Sequence, residues 1–418
     1  MYNKSKRVVV TGLGTVTPYG VGVETFWSNL KLGKSCIKNT SILYNYEINP
    51  TKICGEFTEF NPDEYLDPKE AKRMDRSVQL GVVASLEAVK DAGITAENVD
   101  PYRFGVIVGC GAGGLLTVEK NHTAIVERGP IKCSPFTVPM MITNMGAGLI
   151  AVKHNAKGPN FAVVTACASG AHSIGEAYRT ILYGDADVMI AGGTEGAICD
   201  IGIGAFGAAR TLSKRNDEPE KASRPYDKDR DGFVMSEGAG LLVLEEYEHA
   251  KKRGAKIYCE IVGFGMSCDA YDMVAPSPDG EGAARAMQNA LNDANLEPTD
   301  IAYINTHGTS THVGDIAEIK GIEKVFGDYA TNGLAISSTK SMHGHFLGAA
   351  AGVEAVASIM AMQEGIIPPT INLDNVDEQI PEGMNLVPNK AQEAQLDVVM
   401  SNSFGFGGHN ASLIFKKM

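Results

Sequence analysis

The sequence predicts a layered α/β protein in which mostly buried strands alternate with helices. Two observations support this fold class. Short apolar runs end in glycine-rich turns, and between them lie segments whose apolar residues recur at helical spacing. The predicted strands include RVVVTGLG, RFGVIVGCGAGG, FAVVTACAS and DVMIAGGTE, and the predicted helices include SVQLGVVASLEAVKDAGI and GAHSIGEAYRTILYGD.

The same order of elements occurs again after about Lys256, which predicts a duplicated fold. We expect an N-terminal half at 1–255 and a C-terminal half at 256–418. Segments 26–80 and 112–160 do not fit the repeat, so we interpret them as insertions that cover the core, line a pocket or form an interface. The matched segments, first half before second, are RVVVTGLG with KIYCEIVGFGMS, SVQLGVVASLEAVKDAGI with EGAARAMQNALNDANL, FGVIVGCGAGG with IAYINTHGTST, VVTACASGAHSIGEAYRTIL with AISSTKSMHGHFLGAAAGVEAVASIMAM, and GFVMSEGAGLLVLEEYEHAKK with VVMSNSFGFGGHNASLIFKK.

Composition argues against several classes of protein. The chain has 418 residues and a net charge of −13, which argues against nucleic acid as the main partner. No apolar stretch is long enough to span a bilayer, and the N-terminus lacks a secretory signal pattern, so we expect a soluble cytoplasmic protein. The eight cysteines include no CxxC pair, and DKDRDG lacks the final Glu of a calcium loop, so no metal is predicted.

Cys167 stands where an apolar run meets a predicted helix, in VVTACASGAHSIG. The N-terminus of a helix offers free N–H groups and a partial positive charge, which favour a thiolate and could stabilise an oxyanion. Cysteine is also a common small core residue. Position alone therefore leaves a nucleophile and a buried packing residue equally open.

Two histidines lie in similar turns after predicted strands. His307 is in INTHGTST and His345 is in STKSMHGHFLG. A single histidine in such a turn is more often a packing or capping residue. In a duplicated fold, however, turns from both halves can meet at a central cleft, so we expect Cys167, His307, His345 and the 404–408 loop to lie together. The glycines of that loop would let it approach a substrate or move, although a simple turn explains them almost as well.

Four motifs together carry a family resemblance that covers nearly the whole chain. TACASG, THGTST, STKSMHGHFLGAAAG and NSFGFGGHN resemble, in order and spacing, the motifs of the condensing enzymes of the thiolase fold. Within that group they are similar to the synthase II branch of the β-ketoacyl-[acyl carrier protein] synthases of bacterial type II fatty-acid synthesis. The resemblance implies a thiolase-like fold, in which two βαβαβαββ halves form a five-layered α-β-α-β-α core.

The resemblance also implies a decarboxylative Claisen condensation. Cys167 would accept an acyl chain from acyl carrier protein as a thioester. His307 and His345 would bind the malonyl thioester carbonyl, so that two fixed donors stabilise the enolate formed when CO2 leaves. The carbanion would attack the acyl-Cys167 thioester and give 3-oxoacyl carrier protein. No cofactor is implied, because both substrates are carried on the phosphopantetheine of acyl carrier protein.

Further site residues are assigned by the same resemblance. Lys340 would act electrostatically in the catalytic set, paired with Glu354. The backbone N–H groups of Cys167 and Phe406 would form an oxyanion hole, with the Phe406 ring as a gate. The remaining assignments are Phe404 beside the gate, Thr309 and Thr311 as hydrogen-bond partners of the pantetheine arm, and Asp315 and Glu318 as supporting carboxylates.

The family resemblance implies a homodimer and docking of acyl carrier protein. The carrier is acidic and so is this chain, so docking requires a local basic patch. DPKEAKRMDRS reads as one helix carrying several cations, although a solvated helix face explains these charges equally well. The segment supplies Lys69, Lys72, Arg73 and Arg76 as predicted docking residues, and, by resemblance, Lys132 and Arg210 join them.

Some positions depart from the family pattern. Ala112, in GCGAGG, occupies a place in the acyl pocket where relatives usually carry a larger aliphatic residue, so we expect longer chains to be accepted. His343 and His409 replace commoner threonines, and we interpret both as neutral variation. Ser236 stands where glycine is usual, and no consequence follows from the sequence.

Two alternative functions remain at this stage. A polyketide-type ketosynthase would use the same Cys-His-His set on a different acyl group. A carrier-binding scaffold without turnover belongs to a different class, and the intact Cys167, His307, His345 and Lys340 argue against it. Neither preferred chain length nor unsaturation can be predicted.

Overall fold

The computed structural model describes residues 6–43 and 46–418, and its main sheet has mirrored halves. The first half contains β1 (Val8–Thr17), β2 (Gly20–Val21), β3 (Lys38–Asn39), β4 (Ile53–Cys54), β5 (Phe104–Gly109), β6 (Asn160–Phe161), β7 (Val188–Glu195) and β8 (Gly238–Glu246). The second half contains β9 (Cys259–Cys268), β10 (Tyr303–Asn305), β11 (Ala335–Ser337), β12 (Ile366–Ile367), β13 (Gln392–Glu393), β14 (Val398–Gly405) and β15 (His409–Lys416). The strands of the main sheet pair in the order β11-β10-β14-β15-β9-β1-β8-β7-β5-β6, with β2 beside β1, while β3 with β4 and β12 with β13 form two small separate sheets.

The helices follow the same division. The first half contains α1 (Val23–Lys31), α2 (Pro68–Ala71), α3 (Arg76–Asp91), α4 (Leu115–Arg128), α5 (Thr137–Met141), α6 (Met145–His154), α7 (Ser169–Tyr183), α8 (Asp200–Ala208) and α9 (Tyr247–Lys252). The second half contains α10 (Glu281–Ala294), α11 (His312–Phe326), α12 (Tyr329–Asn332), α13 (Lys340–His343) and α14 (Ala350–Glu364). Short 3₁₀ turns connect several of these elements.

Strand directions confirm the predicted duplication. In the first half β1, β8 and β7 pair antiparallel, and β7, β5 and β6 pair parallel. In the second half β9, β15 and β14 pair antiparallel, and β14, β10 and β11 pair parallel. Each half therefore has the predicted βαβαβαββ order, and the halves meet where Val8–Val10 of β1 pair with β9.

The buried apolar side chains form separate clusters, and these clusters define the five layers of the core. Helices α7 and α14 lie between the strands of the two halves and share one buried cluster with them. Helices α3 and α6 cover the outer face of the first half, and α10 and α11 cover the outer face of the second. The fold places the N-terminal end of α7 and the turn before α14 at the centre of the molecule.

Three sequence-based assignments need correction. FAVVTACAS does not form a strand up to the cysteine, because β6 ends at Phe161. DPKEAKRMDRS is not one helix: α2 ends at Ala71 and α3 begins at Arg76, because Asp75 caps α3 by accepting from Ser77 N. The counterpart of β14 is β7, and only β15 corresponds to GAGLLVLEE of β8.

The described helices include none that is long and apolar enough to cross a membrane.

Candidate active site

The structure brings Cys167, His307 and His345 together at one buried point. The Cys167 Sγ and one ring nitrogen of each histidine lie within 4.8 Å of one another. Cys167 belongs to the first half and both histidines to the second. The two imidazole rings meet edge to face, with their centroids 5.3 Å apart. A thiol and two imidazoles in this arrangement can all contact one thioester.

Cys167 lies in a strained turn two residues before α7. Ala166 has a φ of 49°, in the left-handed region that non-glycine residues rarely adopt. The Ser169 Oγ accepts from Thr165 N at 2.9 Å and donates to the Ala166 carbonyl at 2.6 Å. These bonds hold the turn so that the thiol points to the centre rather than into the core of the first half.

The loop after β14 completes the surroundings of the thiol. The Ser403 Oγ donates to the Cys167 carbonyl at 2.9 Å. The backbone N–H groups of Phe406 and of Cys167 itself are directed at the sulfur. A Cβ at Gly405 would come within 3.0 Å of Cys167 N, so the loop can approach this closely only with glycine there. Two N–H groups converging on this position form a ready oxyanion hole.

The protonation state of the thiol follows from its burial. Burial raises the pKa of Cys167 to about 12, against the opposing effects of the Lys340 charge and the Phe406 N–H. The substrate-free protein therefore holds a thiol rather than a thiolate near neutral pH. The thiol has to lose its proton as it attacks.

Both histidines are neutral at physiological pH. Burial, reinforced by the positive charge of Lys340, lowers the pKa of His307 and of His345 well below the usual value. The Nδ1 atom of His345 accepts from Leu347 N at 3.3 Å, which places the proton on Nε2. His345 is thereby oriented as a neutral hydrogen-bond donor.

Glu318 fixes the turn that carries His307. Its carboxylate accepts from the backbone N–H groups of His307 at 2.9 Å and Gly308 at 2.7 Å. Asn402 on β14 donates to the same carboxylate at 3.3 Å. Burial raises the pKa of Glu318 to about 7, although these donors oppose the shift. The predicted supporting role of Glu318 thus has a geometric basis in the His307 main chain.

Lys340 is the buried cation of the site. Its ammonium pairs with Glu354, and the side chains are 1% and 0% exposed. The charge of Lys340 lowers the pKa of both site histidines and of the Cys167 thiol. It therefore acts on the three central groups through its field.

A cysteine and two histidines are also suitable ligands for a transition metal, and their spacing is compatible with one. The electrostatics disfavour a cation, because the positive charge of the Lys340 ammonium acts on all three groups. A catalytic triad explains the arrangement better than a metal centre.

A cavity of about 320 Å³ leads from Cys167 to the surface. Its lining includes Phe404, Phe406, Thr309 and Thr311, and the two threonine hydroxyls lie 3.1 Å apart. The Phe406 ring packs against Phe206 at a centroid distance of 6.1 Å. A narrow channel with an aromatic side chain beside the thiol and hydroxyls along its wall suits a long, flexible substrate arm.

Asp315 binds the backbone of the 309–311 turn, which carries Thr309 and Thr311, on the side away from the cavity. It is fully buried and accepts from Ser310 N at 3.1 Å and Tyr226 N at 3.0 Å. Arg230 lies 3.5 Å from its carboxylate and donates to the Thr311 carbonyl at 3.1 Å. Together these groups hold the 309–311 turn against the cavity.

The predicted docking cations other than Arg76 are all exposed, but they are not on one helix. Lys69 lies on α2, Lys72 and Arg73 follow it, and Lys132 lies in the turn after α4. Arg210 lines the mouth of the cavity. Arg73 stacks over Phe136, at 4.9 Å from the ring centroid. Arg76 does not belong to a free patch, because it is ion-paired with Glu237 at 2.7 Å.

Ala112 and the two unusual histidines lie apart from the central thiol. Ala112 is exposed and is not among the residues that line the cavity. His343 is fully buried and packs against Phe346, with the ring centroids 4.9 Å apart. His409 is half-buried beside Gly407 of the 404–408 loop.

Several residues that shape the site were not predicted from the sequence. Ser403, Asn402 and Glu195 all lie on strands and were read as parts of apolar or glycine-rich runs. For Glu195 the signal was a polar residue at the end of a strand and next to a glycine, in GGTEG, whereas Asn402 and Ser403 lie within β14, as polar residues shortly before a glycine in SNSFG. That signal is weak, because the same pattern also occurs in ordinary turns.

Comparison with known proteins agrees with this geometry. The N-terminal domain of the β-ketoacyl synthase family matches residues 5–250, and the C-terminal domain of that family matches residues 258–374. The 3-oxoacyl-[acyl-carrier-protein] synthase 2 of Vibrio cholerae is 50% identical over 414 residues, covering 99% of each chain. The enzyme of the same name from Synechocystis is 49% identical over 414 residues, again covering 99% of each chain.

Solved structures show the same fold. A β-ketoacyl synthase from Burkholderia phymatum is 36% identical with a TM-score of 0.91, and the alignment covers 99% of this chain and 100% of that one. A type II polyketide ketosynthase, solved in complex with its acyl-carrier protein and bound to the hexaketide, is 32% identical with a TM-score of 0.91, over 99% of each chain. The thiolase-like fold is thus confirmed, and the chain belongs to the β-ketoacyl synthase family.

Proposed function

We propose that this chain is an elongating 3-oxoacyl-[acyl carrier protein] synthase. It joins an acyl chain held on Cys167 to malonyl-acyl carrier protein, with loss of CO2. The proposal rests on one observation: in the interior of the protein, the Cys167 Sγ and one ring nitrogen each of His307 and His345 lie within 4.8 Å of one another. The buried ammonium of Lys340 acts on all three groups. The identity of 50% to a synthase 2 relative supports the same activity.

The first half-reaction is a thioester exchange. The Cys167 sulfur attacks the acyl carbonyl, and the oxyanion that forms accepts from the N–H groups of Cys167 and Phe406. The intermediate collapses to acyl-Cys167, and the pantetheine sulfur leaves as a thiol with the proton that the cysteine gave up. Because burial holds the pKa of Cys167 at about 12, stabilisation of the oxyanion has to offset the cost of deprotonation.

The second half-reaction is decarboxylation followed by carbon–carbon bond formation. The malonyl thioester oxygen accepts from His307 and His345, and the bond to the carboxylate breaks, releasing CO2 and placing an electron pair on the enolate. That carbanion attacks the carbonyl of acyl-Cys167, the carbon–sulfur bond breaks as the intermediate collapses, and Cys167 leaves as a thiolate that takes up a proton from solvent to restore the thiol. Neutral donors suit this step, because they stabilise charge that exists only after CO2 departs. The electron pair comes from the substrate, so the reaction requires no cofactor or metal.

Acyl carrier protein is the partner in this proposal. Thr309 and Thr311 face the channel and are suited to bind the amides of a pantetheine arm. Arg210 lies at its mouth, and Lys69, Lys72, Arg73 and Lys132 supply positive charge outside it. The carrier is acidic, so these cations favour its approach despite the net charge of −13.

A homodimer is part of the proposal. Strand β6 is the edge of the main sheet, and its Phe161 is 43% exposed. Exposed apolar residues continue from this edge, including Val164 and, around α4 and α5, Val126, Ile131 and Val138. An unprotected edge strand beside apolar surface favours pairing with another chain. A mass of one chain in light scattering would contradict the dimer.

The enzyme is expected to act in the cytoplasm.

The alternatives differ in acyl substrate or in turnover. A polyketide-type ketosynthase would use the same three residues, but the higher identity to the synthase 2 relatives favours fatty-acid elongation. A scaffold would not retain Cys167 in an oxyanion hole with two oriented histidines.

The test is the intact mass of the protein after incubation with C8 to C18 acyl carrier proteins, followed by malonyl-acyl carrier protein. We expect an acyl adduct on the wild type and none on Cys167→Ala, then loss of the adduct as 3-oxoacyl product forms. Absence of an adduct at every length would overturn the enzyme proposal. Ala112→Ile tests the assignment of Ala112 to the acyl pocket: a shift of the profile towards shorter acyl groups would support it, and an unchanged profile would agree with its exposed position outside the cavity.

A further inference from the structure

Glu195 is a buried carboxylate that the reaction described above does not use. It is the last residue of β7, is fully buried, and accepts from donors on two sides. On one side are Gly111 N at 2.8 Å and Ala112 N at 3.2 Å, with the Cys110 thiol at 3.4 Å. On the other side is Gly348 N, at 3.0 Å. Gly111 and Gly348 share a single oxygen, Oε2.

The first side touches the turn of the nucleophile. A Cβ at Gly109 would lie 2.5 Å from the Ser169 carbonyl, and one at Gly111 would lie 3.6 Å from the Ala166 carbonyl. The 109–111 segment therefore packs directly against the turn that holds Cys167. Any movement of that turn is transmitted to the segment that Glu195 holds.

The second side touches the turn of the histidine. Gly348 follows Leu347, whose N–H donates to His345 Nδ1 at 3.3 Å. Gly348 also lies against the nucleophile helix, because a Cβ at Gly170 would be 3.1 Å from its carbonyl. There is no room for a side chain at this contact: a Cβ at Gly348 would lie 2.3 Å from Gly111 N and 2.8 Å from Glu195 Oε2.

We propose that Glu195 is a positioning residue that holds the Cys167 turn and the His345 turn at a fixed separation, and so couples decarboxylation to condensation. The enolate has to form within reach of acyl-Cys167, because a carbanion that is not captured is protonated and wasted. One carboxylate oxygen binds both Gly111, in the segment packed against the Cys167 turn, and Gly348, in the turn after His345, and so fixes this distance more directly than packing alone. The inference rests on the proposed function and adds the residue that aligns its two halves.

The experiment compares Glu195→Gln with the wild type. Gln has nearly the same shape, but its amide NH2 places a donor where backbone donors already converge, so at least one tether is lost. We measure the acylation rate of Cys167 by intact mass, the rate of condensation, and the CO2 released per 3-oxoacyl product. We expect acylation to stay within about threefold of wild type, condensation to fall about tenfold to a hundredfold, and more than one CO2 to be released per product.

A matched control is Glu87→Gln. Glu87 also accepts from two backbone N–H groups, Thr15 at 2.9 Å and Val23 at 2.8 Å, but it lies on α3 outside the site. We expect this variant to lower the melting temperature and leave the CO2-to-product ratio at one. If Glu195→Gln lowers only the melting temperature, or lowers acylation as much as condensation, the proposal is wrong.

A folding failure would not end the test. If Glu195→Gln does not yield folded protein, Glu195→Asp is measured with the same three assays and judged by the same outcomes. A wild-type protein that forms no adduct on Cys167 would instead contradict the proposed function itself. The two failures are therefore distinguishable.

Discussion

Lys340 and Glu354 form an ion pair in the interior of the protein, with side chains 1% and 0% exposed. Burial raises the pKa of Glu354 to about 7, against the opposing charge of Lys340. The pair is asymmetric in function, since only the ammonium acts on Cys167 and the histidines. Variants of the two partners should therefore differ in chemistry even where they are similar in stability.

Lys340→Met is expected to slow alkylation of Cys167 by iodoacetamide and to lower condensation at least about tenfold. The thiolate loses a nearby positive charge, and so does the enolate that follows decarboxylation. Glu354→Gln keeps the ammonium, so the Cys167 alkylation rate should be equal to that of the wild type or higher. Each variant leaves one buried partner without its counter-charge, which costs about 3–5 kcal/mol of unfolding free energy. Equal slowing of alkylation in both variants would show that the effect is one of stability and not of charge.

The pH dependence of Cys167 alkylation follows from its pKa of about 12. Because the reactive thiolate is a minor species throughout, the rate in the substrate-free enzyme should rise about tenfold per pH unit between pH 7 and 9. Cys268 is exposed and serves as an internal reference on a separate peptide. Peptide mass mapping at pH 8 should find Cys268 modified first. A plateau in the Cys167 rate below pH 9 would contradict the effect of burial.

His343→Thr should make the protein more resistant to acid. Burial, with a contribution from the Lys340 charge, lowers the pKa of His343 to about 3. The unfolded chain binds a proton at this residue below about pH 6.5, whereas the folded chain does not. Wild-type stability is therefore lost as pH falls from about 6.5 towards 3, by about 2 kcal/mol at pH 5 from this residue alone. Threonine does not titrate, so this contribution disappears.

The measurement for His343 is the free energy of unfolding in urea at pH 7.5 and pH 5.0, for both proteins. The variant loses the contact with Phe346 at either pH, so only the difference between the two pH values is informative. Other histidines whose pKa is lowered by burial, such as His154 and His172, are present in both proteins and cancel. An identical pH dependence in the two proteins would show that His343 is protonated in the fold.

Much of the fold followed from the sequence because duplication repeats its pattern. The strand and helix periodicities of 8–17 and 76–91 reappear at 259–268 and 281–294, and the sheet order is a mirror image as a result. The predicted match between GFVMSEGAGLLVLEEYEHAKK and VVMSNSFGFGGHNASLIFKK was wrong for β14, because VMSEG and VMSNS are similar only in sequence. In the sheet, the position of a strand is defined by the strands that it pairs with, and by this criterion β14 corresponds to β7.

The centre of the site could be predicted because the turns after three predicted strands each contain a cysteine or a histidine. Cys167, His307 and His345 could be expected to meet because their turns lie at matching ends of the two halves. The tautomer of His345 could not be predicted, because it depends on the Leu347 N–H. The break between α2 and α3 in DPKEAKRMDRS could have been predicted locally, because Asp67 and Asp75, eight residues apart, each cap the N-terminus of a helix. The role of Glu195 could not be predicted, because its donors come from two distant parts of the chain, residues 110–112 and Gly348.

Lys72→Glu should weaken the interaction with acyl carrier protein without affecting the chemistry. Lys72 is exposed after α2, on the side of the molecule that carries Lys69 and Arg73. Reversing one charge at the edge of an interface with an acidic partner costs about 1 kcal/mol, which raises KM for acyl carrier protein about fivefold at low salt. The effect should shrink as ionic strength rises. Acylation by a small acyl thioester without the carrier should be unchanged.

The matched control is Lys252→Glu, because Lys252 is an exposed lysine on α9. If both variants raise KM equally, the net charge of the protein explains the effect and α2 is not part of the docking surface.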